Sequence, residues 1–90
     1  MDLHRALGKH VSAYFAREIS LVQLREWVER HDSDVAASGD EALRTLSADV
    51  WELLSEADLG QRDEHEVRVA LAQRHPELVP ARLGAGAVMA

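Results

Sequence analysis

The sequence predicts an all-α fold: a compact four-helix bundle over residues 1–79, with a flexible C-terminal tail at 80–90. Three observations carry this expectation. Apolar residues recur at spacings of three and four along most of the chain, the pattern of amphipathic helices. Capping residues followed three positions later by Glu or Gln mark helix starts. No stretch alternates with period two for long enough to form a strand.

The first helix is expected over roughly residues 2–17. Leu3, Leu7, Val11 and Tyr14 form its stripe, with Ala6 and Phe15 alongside and Asp2 as N-cap. The second starts at Ser20, which forms a capping box with Gln23. Ile19 and Leu24 stand at the positions of a hydrophobic staple. Leu21, Leu24, Trp27 and Val28 face inward, and Arg25–Glu29 and Glu26–Arg30 are spaced as i,i+4 pairs. This helix is expected to end near His31, because residues 32–39 (Asp-Ser-Asp-Val-Ala-Ala-Ser-Gly) have the composition of a loop.

Ser38 with Glu41, or Asp40 alone, caps a third helix that runs to about Asp58. Leu43, Leu46, Val50, Leu53 and Ala57 make its stripe, and Trp51 and Leu54 widen it. So wide a stripe suits a central helix with two or three neighbours. Gly60 supplies the left-handed residue that ends helices. Asp63 and Glu66 repeat the capping box for a fourth helix over 63–75, with Val67, Ala70 and Leu71 inward, Glu64–Arg68 as an exposed pair and Pro76 as the stop. From Pro80 the tail has no periodicity and frays unless Leu83, Val88 or Met89 docks.

Composition narrows the function classes. There are no cysteines, hence no disulfide framework and no thiolate metal site. No 18-residue apolar run occurs and no apolar stretch follows the first residues. Neither a membrane span nor a signal peptide is expected, and a cytoplasmic location is the default. His4, His10, His31, His65 and His75 include no i,i+4 pair, so no metal or other cofactor is expected. His31 and His75 fall in expected last turns, where the dipole favours a cation. A chain this small leaves little room for a catalytic pocket of ~300 Å³, which argues against an enzyme.

Charge is unevenly distributed. Residues 32–66 hold eleven acidic and two basic side chains, a formal charge of −9 in a chain whose total is −6. Nucleic acid is therefore an unfavourable partner and a basic protein a favourable one. Asp40, Glu41, Asp63 and Glu66 have local roles at helix starts, and Asp32 and Asp34 belong to the expected loop. That leaves Asp49, Glu52, Glu56, Asp58 and Glu64 as the expected protein-binding ridge. Trp27 and Trp51 are expected in the core, and a partly exposed edge on either would be a candidate contact.

The run Tyr14-Phe15-Ala16-Arg17-Glu18-Ile19-Ser20-Leu21, with Leu24, Trp27 and later Trp51-Glu52-Leu53-Leu54, resembles small bacterial helical proteins that include colicin-D-type immunity proteins. The resemblance spans residues 14–59. It implies an inhibitor, a compact acidic bundle that occupies the basic substrate cleft of a nuclease toxin. The function expected is thus a non-enzymatic protein-binding module with an acidic face. The alternative is a self-associating, homodimeric helical protein that completes its core through Trp27, Trp51 or the tail.

Overall fold

The computed structural model describes residues 2–81. These residues form four α-helices: α1 (Leu3–Phe15), α2 (Leu21–Ala37), α3 (Glu41–Asp58) and α4 (Glu64–Arg74). A single 3-10 turn follows at Pro76–Leu78. There is no strand among the described residues, and the architecture is the all-α four-helix bundle that the periodicity predicts. The tail expected at 80–90 lies, from Arg82 onward, outside the described residues.

Each helix starts on a side chain that accepts a hydrogen bond from an otherwise unpaired backbone N–H. Asp2 accepts from Arg5 N, Ser20 from Gln23 N, Asp40 from Leu43 N and Asp63 from Glu66 N. At α2 and α4 the third residue also reaches back to complete a capping box. Of the two readings for α3, Asp40 alone is the cap. Ser38 instead accepts from Asp40 N and donates to Val35 O.

The second helix is longer than its composition suggests. It continues past His31 to Ala37, so the expected 32–39 loop shrinks to the break at Ser38 and Gly39. Val35 explains this. It is buried and extends the stripe of Leu24, Val28 and His31 by one turn, while Asp32, Ser33 and Asp34 all stay exposed. A polar run that keeps to the solvent face does not interrupt a helix. His31 therefore sits mid-helix rather than in a last turn. Its ring stacks on Trp27 at a centroid distance of 4.0 Å, and its Nδ1 lies 2.8 Å from Trp27 O.

Two helix ends share one backbone geometry. At α3, Gly60 N bonds to Ala57 O and Gln61 N to Glu56 O, with Gly60 at φ 74°. At α1, Arg17 N bonds to Tyr14 O and Glu18 N to Ala13 O, with Arg17 at φ 62°. Both are Schellman endings, but α1 places an arginine where glycine is favoured. This left-handed residue makes the sharp turn into α2.

The core draws on every helix: Leu7, Val11, Tyr14 and Phe15; Leu24, Trp27, Val28 and Val35; Leu43, Leu46, Val50, Leu53 and Leu54; Val67, Ala70, Leu71 and Ala72. Helix α3 packs on α1, α2 and α4, as its wide stripe requires. The 3-10 turn closes against α1, where Ser12 Oγ donates to Leu78 O at 2.6 Å.

Candidate protein-interaction site

All five carboxylates of the expected ridge are engaged by arginines of the same chain. Asp49 meets Arg74 at 3.3 Å and His75 at 2.6 Å, and Glu52 meets Arg74 at 2.8 Å. Glu56 bonds Arg62, Asp58 meets Arg25 at 2.5 Å, and Glu64 meets Arg68 at 3.3 Å. Of the i,i+4 pairs expected on the helix surfaces, Glu64–Arg68 forms. Arg25 turns away from Glu29 to cross to α3, and Glu26 makes no ion pair with Arg30 among the described residues.

Exposure divides the five. Asp49 and Glu56 are each 23% exposed and hold the fold together. Asp49 ties α3 to the end of α4, while Glu56 pins the α3–α4 link through Arg62. The second nitrogen of His75 lies 3.3 Å from Glu77, so the ring stands between two carboxylates. Arg74 is held above its ordinary pKa, chiefly by its hydrogen bond to Glu52. Glu52, Asp58 and Glu64 are more than half exposed. A carboxylate oriented by one cation can still offer lone pairs to a partner, with less ordering left to be done on binding.

The antiparallel run of the helices gathers the C-terminal ends of α1 and α3 with the N-terminal ends of α2 and α4. Two contacts fix this end. Arg25 of α2 bonds Asp58 of α3, and the Tyr14 hydroxyl of α1 donates to Glu64 O of α4 at 3.3 Å. Beside the Arg25–Asp58 pair stand Val22, one turn before Arg25, and Leu59, next to Asp58. They are 61% and 73% exposed, the only large hydrophobic side chains so open among the described residues. The segments that meet at this end, residues 17–26 and 56–68, carry more acidic than basic side chains: Glu18, Glu26, Glu56, Asp58, Asp63, Glu64 and Glu66 against Arg17, Arg25, Arg62 and Arg68. Two exposed apolar side chains thus stand on segments that are net acidic.

Beneath this end, Arg68 is not the exposed partner that its spacing suggests. It is 9% exposed, and its guanidinium carbon lies 4.9 Å from the centroid of the Tyr14 ring. Its Nε is buried without an acceptor among the described residues. The Tyr14 hydroxyl is pushed up to a pKa of about 12, chiefly by burial; the charges of Arg68 and Arg17 oppose the rise and that of Glu64 adds to it.

A second surface lies between α2 and α3. A shallow hollow of about 220 Å³ is lined by Asp32, Val35, Ala36, Arg44, Ser47, Ala48 and Trp51. Trp27 is in the core as expected, but Trp51 is only half-buried, and its indole N–H is shielded from water with no acceptor. Among the described residues no group of three or more His, Asp and Glu side chains is placed to hold a metal ion.

Sequence reasoning missed Val22 and Leu59. The available signals were an apolar residue off the α2 stripe and an apolar residue immediately before a helix-ending glycine. No protein-family model matches the chain, and neither the curated proteins nor the solved structures include a match.

Proposed function

We propose that the chain is a non-enzymatic protein-binding module that docks a basic partner at the bundle end formed by α1, α2, α3 and α4. The observation that carries this reading is the exposure of Val22 and Leu59 beside the Arg25–Asp58 pair. Exposed apolar side chains ringed by charge are favourable contact centres, because the apolar groups supply affinity and the rim supplies selectivity. Asp58 and Glu64 belong to that rim, Glu52 extends it along α3, and Asp49 and Glu56 support it from below. Immunity or antitoxin activity is one concrete form, in which this end enters the basic cleft of a toxin.

Affinity capture on the immobilised protein tests the reading. Wild type is expected to retain a basic protein at low salt and to release it as salt rises. Leu59→Asp, and separately Asp58→Lys with Glu64→Lys, are expected to lose it. Capture that survives both variants overturns the proposal.

A further inference from the structure

The hollow between α2 and α3 lies on a different surface from the bundle end, and its charges point to a different occupant. Asp32 on α2 and Arg44 on α3 are both exposed and both line the hollow. Neither forms an ion pair with the other or with any other described residue. Every other arginine of α2, α3 and α4 except Arg30 is paired. One unmatched anion and one unmatched cation thus face each other across a groove floored by Ala36, Ser47 and Ala48.

Such a surface is complementary to itself. A two-fold axis lying along the groove, between the two helices, sets α3 of one copy over α2 of the other. Asp32 of each copy then meets Arg44 of the other, twice per dimer, as an isologous contact requires. The small side chains on the floor let the helices approach. A basic partner would be repelled by Arg44 and an acidic one by Asp32, whereas a second copy satisfies both.

We propose that the chain forms a symmetric homodimer through the α2–α3 groove, with Asp32 of each copy paired to Arg44 of the other. The contact is small, so the dimer is reversible and concentration-dependent.

Sedimentation velocity on the full chain tests this with Asp32→Arg and Arg44→Asp. Both positions are exposed, and neither side chain forms an ion pair with a described residue. Both variants are therefore expected to keep wild-type helicity by circular dichroism. Wild type should shift from monomer to dimer with concentration. Each single variant sets like charges face to face and should weaken the dimer about tenfold or more. An equimolar mixture of the two variants restores both pairs and should dimerise as wild type does, as should the double variant alone. A wild-type monomer at every concentration, single variants that dimerise as tightly as wild type, or a mixture that stays monomeric overturns the proposal. None of these outcomes bears on Val22, Leu59 or Asp58, so the bundle-end reading stands or falls separately.

Discussion

Arg68 lies over the face of Tyr14, 4.9 Å from the ring centroid, inside a bundle that leaves it only 9% exposed. Among the described residues its sole ion pair is with Glu64 at 3.3 Å, and its Nε has no acceptor. A buried cation with one indifferent partner gains little from its charge and more from its packing. Arg68→Met keeps much of the packing and removes the desolvated charge, so its stability is expected to stay within about 1 kcal/mol of wild type or to exceed it. Arg68→Ala leaves a void against Tyr14 and is expected to cost roughly 1–3 kcal/mol. Urea denaturation of the two variants separates packing from charge.

The Tyr14 hydroxyl gives the fold an alkaline limit. Its pKa rises from an ordinary 10.0 to about 12 on folding, chiefly through burial. The folded chain therefore holds the phenolic proton more tightly than the unfolded chain does. That contribution is complete below pH 10 and is lost as pH rises toward 12. It amounts to on the order of 2–3 kcal/mol for a shift of this size. Denaturation midpoints across this window should fall more steeply for wild type than for Tyr14→Phe. With Arg68→Met the fall should begin at the same pH but continue to higher pH, because the Arg68 charge opposes the rise. Parallel wild-type and Tyr14→Phe profiles would show that the phenol is not the titrating group.

The two Schellman endings form a matched pair for a backbone test. Arg17 occupies at φ 62° the position that Gly60 occupies at φ 74°. A side chain in this region costs about 1 kcal/mol or more relative to glycine. Arg17→Gly is expected to stabilise the chain by about 0.5–1 kcal/mol, and Gly60→Ala to destabilise it by about 1 kcal/mol. Opposite shifts in thermal midpoint confirm the assignment. Destabilisation by Arg17→Gly would mean that the arginine side chain contributes more than its backbone strain removes.

Much of the fold was legible because helix starts are local chemistry. Ser20 with Gln23 and Asp63 with Glu66 announce α2 and α4 within four residues, and each capping box forms as spaced. The end of α2 was not legible. Asp32, Ser33 and Asp34 have loop composition, and only the packing of Val35 against the core keeps that turn helical. The acidic ridge was half legible. Sequence placed Asp49, Glu52, Glu56, Asp58 and Glu64 on helices but could not show that each would find a cation. Those cations come from 4 to 33 positions away, as in Glu64–Arg68 and Arg25–Asp58. Spacing along one helix predicts i,i+4 partners, whereas pairs between helices depend on how the helices cross. Arg25 has Glu29 four residues away and still bonds Asp58, because the α2–α3 crossing brings Asp58 within reach.

The position of α3, packed on each of the other three helices, makes the molecule indivisible. No pair of helices closes a core without it: Leu46, Val50, Leu53 and Leu54 supply the surface against which α1, α2 and α4 are buried. A chain cut at Gly39 would leave α1 and α2 with an apolar flank and nothing to cover it. A single cooperative opening is therefore expected, with the amides of α3 the last to exchange with solvent.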